Sequence, residues 1–235
     1  MQPPFFFLEN IPKEDRPILD EASSHHLSRV LRMKEGELIV LTDGKGNLYE
    51  AAITAAHKSK SEVRILEKKQ IAFDLPEVTI AISPIKNVSR FEWFIEKCTE
   101  LGVHKIIPVI CSRTEKFNYK QERLQNILKS AIMQSRQPWM PQLMASEKIE
   151  NLIVNASASH RFIAHCNRDE NKLSLPGNIK KDESRIILIG PEGDFTEEEV
   201  NFAIAHKFIP ITLGASTLRT ETAGIAAAVL LKQNS

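Results

Sequence analysis

Two short stretches near the carboxyl end gather residue types that can do chemistry: GPEGDFT at 190–196 and GASTLRT at 214–220. Each follows an apolar run and precedes a helical pattern. Each is therefore read as a loop leaving the carboxyl end of a buried strand, where ligands sit in open α/β sheets. The spacing argues against a phosphate cradle. Neither GxxxxGK[ST] nor GxGxxG is present. Pro191 lacks the backbone N–H a phosphate would want, and Glu192 puts negative charge where phosphate would lie. The first loop suits a neutral or cationic ligand, and Gly190 and Gly193 let backbone approach a flat one closely. Taken alone, GPEG fits a plain strand-to-helix turn equally well. Thr196 with Glu199 forms a capping box, so the run Glu197 to Glu199 reads as capping plus a solvated face. In the second loop Arg219 stands just outside the following helix with no structural reason to be there. Thr220 reads as that helix's cap, with Glu221 in its first turn. Ala223, Gly224, Ala226, Ala227 and Ala228 make the helix thin at a cost in stability. That predicts another backbone passing very close to it.

The elements that must position these loops alternate. VTIAIS (78–83), KIIPVIC (105–111), RFIAHC (161–166), RIILIG (185–190) and FIPITLG (208–214) read as strands. SRFEWFIEKCTEL (89–101), QERLQNILKSAIMQSR (121–136), TEEEVNFAIAHK (196–207) and TETAGIAAAVLLK (220–232) read as helices. This pattern predicts a parallel α/β sheet. Before it, ELIVLTD (37–43) and LYEAAIT (48–54) flank the turn DGKGN as a hairpin, and SEVRILEKK (61–69) alternates as a further strand. One helix is expected over 23–33, with Leu27, Val30 and Leu31 on one face and His25, Arg29 and Arg32 on the other. The proline-bearing stretch QIAFDLPE (70–77) divides the chain into a domain of 1–70 and one of 71–235.

Composition narrows the classes. The chain has 235 residues, 42% hydrophobic and 26% charged, with a formal charge of +1. That is ordinary for a chain with a buried core, and it carries no general nucleic-acid signature. No apolar run reaches the roughly 18 residues of a membrane span. MQPPFFFLEN lacks the basic region of a signal peptide. Cys98, Cys111 and Cys166 are odd in number and scattered, which points to a reducing cytosol and no disulfide framework. His165–Cys166 lacks partners at ligand spacing, so no metal site is expected.

LIGPEGDFTEEEV and LGASTLRTETAGIAAAVLL resemble the C-terminal signature of the SPOUT-class RNA methyltransferases. They are more closely similar to the ribosomal RNA small subunit methyltransferase E family, which methylates N3 of one uridine. The likeness extends to HHLSRVLRMKEGELIVLTDGKGNLYEA (25–51) and FIEKCTELGVHKIIPV (94–109). It implies an N-terminal PUA-like β-barrel gripping RNA and a C-terminal α/β domain with a deep trefoil knot. It also implies S-adenosylmethionine bound in the knot and a cytosolic homodimer acting on small-subunit ribosomal RNA or the assembled subunit. Carried over by residue, Gly190, Glu192 and Gly193 belong to the first cofactor loop. Leu213, Gly214, Leu218, Arg219 and Thr220 belong to the second, with Leu213 and Leu218 as apolar walls for adenine.

Uridine N3 holds a proton and is a poor nucleophile until it leaves, so a base or stabilisation of the anion is required. Arg219 is the first choice for stabilising the anion, since its fork matches a planar imide edge. Glu192 and Glu221 are the candidate bases, Glu192 preferred because capping accounts for Glu221. An interface salt bridge is the competing role for Arg219. His25, Arg29 and Arg32, with Lys86 and Arg113 beyond two strand ends, are candidate phosphate contacts. Trp93 lies off the apolar face of its helix and reads as an inter-domain or dimer contact. Two positions depart from the family: no arginine precedes Arg16, and Met133 stands where relatives commonly carry an acidic residue before Gln134–Ser135. The alternatives are an enzyme of the same fold methylating a ribose hydroxyl, or a non-catalytic RNA-binding protein.

Overall fold

The structure, a computed structural model, describes residues 2–12, 15–73, 76–166 and 182–233. The chain divides into two units: Met1–Phe73 with Ile132–Met140, and Asp74–Ala131 with Pro141–Ser235.

The first unit is built on a four-stranded sheet in the order β1 (Phe5–Phe7), β2 (Leu38–Thr42), β3 (Asn47–Ala55), β4 (Glu62–Gln70). The three phenylalanines of β1 run parallel to β2, and the other pairs are antiparallel. The β2–β3 hairpin turns where expected. Asp43 closes it by accepting from the N–H groups of Lys45 (2.8 Å) and Asn47 (3.2 Å), an Asx turn. Gly46, at φ +87°, leaves room for the Trp139 ring; a Cβ there would lie 2.3 Å from it. The 132–140 segment, which the sequence pattern assigned to the second domain, thus packs with the first unit. Phe6, Leu27, Ile39, Leu41, Ile53 and Val63 lie in its core.

The expected helix over 23–33 differs. Helix α1 (Glu21–His25) gives way to a π-helical turn over His26–Val30, with Leu31 N–H donating to His26 C=O at 2.9 Å. The wider turn rotates the face, because the pattern of 3.6 residues no longer applies. Leu27 stays buried, while Val30 and Leu31 turn outward, 58% and 39% exposed.

The second unit holds a parallel sheet in the order β11 (Ile209–Ile211), β9 (His160–Ala164), β10 (Arg185–Ile189), β5 (Val78–Ile82), β6 (Lys105–Ile110), β7 (Gln142–Leu143). β8 (Glu147–Lys148) also pairs with β6. Between the strands run α2 (Val88–Glu100), α3 (Gln121–Ser135), α4 (Ile149–Asn155), α5 (Glu197–Ala205) and α6 (Thr220–Gln233). β5 and β10 are buried at every position, which explains their unbroken apolar runs. From edge strand β11 the chain returns as α6 to lie against β5, β10 and α2 in the middle of the sheet.

Gly224 makes that return possible. A Cβ there would stand 2.5 Å from the Phe94 ring and 3.0 Å from Ile82 Cδ1. The thinness of α6 was expected to admit a backbone; at Gly224 it admits a ring from α2 instead. At the far end, buried Arg185 donates to the C=O of Leu231, and burial pushes its guanidinium pKa down.

Candidate functional site

The first loop is held by its own Asp194 and by side chains from two neighbouring elements. Arg113, beyond β6, donates through Nη1 to the C=O groups of Gly193 (2.8 Å) and Phe195 (3.4 Å). Asp194 takes a left-handed φ of 60°. Its Oδ1 accepts from Phe195 N–H at 2.9 Å and its Oδ2 from Cys166 N–H, beyond β9, at 2.7 Å. The capping box forms as expected, with Oε2 of buried Glu199 accepting from Thr196 N–H at 2.8 Å. The same carboxylate also reaches beyond its helix, where Oε1 accepts from Ser112 N–H at 2.7 Å. Gly190 is needed for space, since a Cβ would press on the Phe195 ring at 3.1 Å.

Among the described residues the second loop has few such ties. Gly214 sits at φ +139°, where a side chain is strained, with nothing within 4 Å of its would-be Cβ. The Thr212 hydroxyl accepts from its N–H (3.3 Å) and donates to its C=O (2.9 Å). Gly214 to Thr217 are exposed, and Leu213 and Leu218 half-buried. Thr220 was expected to cap α6. Instead Ala223 N–H donates to Arg219 C=O at 2.8 Å, so Arg219 holds the cap position and Thr220 is the first helical residue. The buried Thr220 hydroxyl donates across to Gly190 C=O at 3.2 Å, tying the loops together.

Between them lie two adjoining pockets of about 360 and 160 Å³. They share Ala164, Cys166, Thr217, Leu218 and Ala223, and the larger adds Gly190, Glu192 and Arg219. The size of the larger suits a small-molecule ligand. The lining is apolar and short-chained at Ala164, Ile189, Leu218 and Ala223, with Leu213 and Gly214 in the smaller pocket. Arg219 is exposed, and its guanidinium pairs with none of the described residues.

Arg90, in the first turn of α2, was missed by sequence reasoning. It lines the larger pocket. Its Nη1 lies 3.4 Å from Glu192 Oε1, and its Nε 3.7 Å from Oε1 of Glu221. Glu221 is buried, and its Oε2 has no hydrogen-bond partner among the described residues. A signal was available: Arg90 follows the carboxyl end of β5, the same edge that carries both loops.

The candidate RNA contacts scatter. His25, Arg29 and Arg32 are exposed on the first unit. In the second, Lys86 pairs with Glu115 at 3.0 Å, both exposed, and Arg113 is engaged with the first loop. Trp93 is 46% exposed. Burial raises the thiols of Cys98 and Cys111, the latter to about 12, while Cys166 stays exposed at the pocket. Among the described residues no group of three or more His, Cys, Asp or Glu is placed to hold a metal ion, and no helix is long and apolar enough to cross a membrane.

A family model described as an RNA methyltransferase domain matches residues 73–232, and one described as an RNA methyltransferase PUA domain matches 19–66. The chain is 32% identical over 210 residues to a Synechocystis protein named ribosomal RNA small subunit methyltransferase E, covering 87% of this chain and 69% of that one. A crystal structure of a probable rRNA-methyltransferase from Porphyromonas gingivalis superposes with a TM-score of 0.91 at 34% identity, covering 98% of both chains. A ribosomal RNA small subunit methyltransferase E from Neisseria gonorrhoeae, bound to S-adenosyl methionine, does so at 0.87 and 30%, covering 99% of this chain and 98% of that one.

Proposed function

The chain belongs to the ribosomal RNA small subunit methyltransferase E family, and from that premise we propose that it methylates N3 of one uridine in small-subunit ribosomal RNA, using S-adenosylmethionine. The observation that carries the reading is the pocket between the two loops, with an arginine at its edge that pairs with none of the described residues.

The pocket fits this cofactor on its own terms. Short apolar side chains leave a slot for a flat purine, with Leu213 and Leu218 on its walls. Pro191 and the Glu192 carboxylate line it where a phosphate would find a missing donor and a like charge. Gly190, Glu192, Gly193, Leu213, Gly214, Leu218, Arg219 and Thr220 are the residues we assign to holding it. When bound, the cofactor supplies a methyl group on a cationic sulfur.

The chain's own residues prepare the acceptor. Arg219 presents its forked N–H donors to the imide edge of the uridine and stabilises the anion formed when the N3 proton leaves. Glu192 is the residue we assign to accept that proton. Thr220 and Gly190 keep the two loops at a fixed separation.

His25, Arg29 and Arg32 on the first unit, with Lys86 on the second, are assigned to the RNA backbone. The matched PUA domain supports that role for the first unit. The reading includes a trefoil knot, a cytosolic location and a homodimer, for which half-exposed Ile225, Val229 and Leu230 on α6 offer an apolar face.

The test offers purified protein and labelled cofactor with naked small-subunit RNA and with assembled subunits from a strain lacking the gene. Nuclease digestion and mass spectrometry then identify the product. N3-methyluridine supports the reading. A ribose-methylated nucleotide would assign the fold to another position, and cofactor binding without incorporation would leave an RNA-binding protein.

A further inference from the structure

Arg90 is the one cation that reaches both carboxylates beside the pocket, among the described residues. It comes from α2, which Asn87 caps by accepting from Arg90 N–H at 3.4 Å. Neither contact is tight: 3.4 Å to Glu192 and 3.7 Å to Glu221. The two carboxylates differ in surroundings. The Glu192 side chain is 48% exposed and lines the pocket, whereas that of Glu221 is 7% exposed and fixed in the first turn of α6. Burying a carboxylate with one oxygen unpaired is unfavourable unless a cation is near. Glu221 therefore anchors Arg90, and Arg90 in turn reaches out to Glu192.

We propose that Arg90 is a positioning residue. Anchored on the buried Glu221 carboxylate, it holds the Glu192 carboxylate at the mouth of the cofactor pocket, so that loop 190–196 meets the cofactor already ordered at Glu192. The inference rests on the cofactor assignment made above, and it adds a residue and a route of action. Loop 190–196 is braced at Gly193, Asp194, Phe195 and Thr196 by bonds described above, but among the described residues Glu192 has only Arg90 to fix its side chain. Arginine suits this role because its Nε and Nη1 face separate partners at once, whereas a lysine ammonium is a single point of charge.

The experiment is a double-mutant cycle read by calorimetry with S-adenosylmethionine. Arg90→Gln is expected to weaken binding about fivefold, the upper end for a half-exposed pair. In a Glu192→Gln background the same change is expected to weaken it less than twofold, because the side chain through which Arg90 acts is gone. Arg90→Lys is expected to restore part of the loss. Arg90→Gln leaves Glu221 buried without its cation, so the cycle is repeated with Glu221→Gln throughout, which removes the buried charge and keeps the fold testable. In that background Arg90 has lost its anchor, and Arg90→Gln is expected to matter less than twofold. Equal weakening in the wild-type and Glu192→Gln backgrounds would overturn the proposal, since a purely structural arginine acts regardless of Glu192. No binding by the wild-type protein would overturn the cofactor assignment itself, a separate result.

Discussion

The two loops flanking the pocket are alike in sequence logic and unlike in support. Loop 190–196 is gripped by Arg113 from beyond β6, by Asp194 reaching the end of β9, and by Glu199 from α5 through Thr196 N–H. Among the described residues, loop 212–219 is held by one threonine hydroxyl within itself and by its junction at Thr220. The first half of the pocket is therefore built in advance, and the second half depends on what fills it. A preformed half fixes where a ligand goes without further ordering, while the loose half loses freedom only when the ligand arrives. Arg219, on the loose half, pairs with none of the described residues.

The largest expected effect breaks the loose half at its chemical end. Arg219→Ala should lower kcat about a hundredfold, the scale seen when one donor to a developing oxyanion is removed. Its melting temperature should not move, because the side chain pairs with none of the described residues. Steady-state rates beside a thermal melt check this; wild-type rates would remove Arg219 from the mechanism.

The two glycines sharpen the contrast. Gly190→Ala forces a methyl against the Phe195 ring, and should destabilise the fold by about 1–2 kcal/mol through overpacking. Gly214→Ala meets no neighbour but strains the backbone. With an exposed loop free to rearrange, that strain should appear as cofactor affinity weakened about tenfold, within the 1–3 kcal/mol of such strain. Melts and calorimetry on both variants would refute the contrast if the two behaved alike.

Arg113→Ala removes a brace of loop 190–196. A severalfold rise in the KM for cofactor with kcat little changed is the expected result, worth about 1 kcal/mol. A fall in kcat alone would contradict it.

The smallest effect concerns the thiols. With Cys111 pushed up to about 12 and Cys98 raised by complete burial, neither forms thiolate near neutrality, because thiolate appears only as pH rises towards the pKa. Iodoacetamide at pH 8 should therefore modify Cys166 alone, and bound cofactor should slow it, as mass spectrometry would show. Modification of Cys111 below pH 10 would argue against its burial.

Much of the second unit was legible because its strands are buried on both faces and read as unbroken apolar runs, with a capping box marking α5. The loops were legible because position after such a strand is itself the signal. Arg90 carries the same positional signal after β5, but its tie to Glu192 spans the chain and exists only because β5 lies beside β10. The π-helical turn was hidden for a local reason: Leu27, Val30 and Leu31 fit a normal helix, and nothing in their types announces the wider one. The return of 132–140 to the first unit depends on Gly46 making room for Trp139, a pairing of distant residues that no periodicity encodes.

Amide hydrogen exchange with and without S-adenosylmethionine tests the central claim most directly. In the free protein, amides of 194–196 and 199 should be well protected and those of 213–219 poorly so. With cofactor, protection should rise chiefly at 213–219. Equal protection of both loops in the free protein, or cofactor-induced protection that bypasses 213–219, would contradict a pocket with one half built and one half waiting.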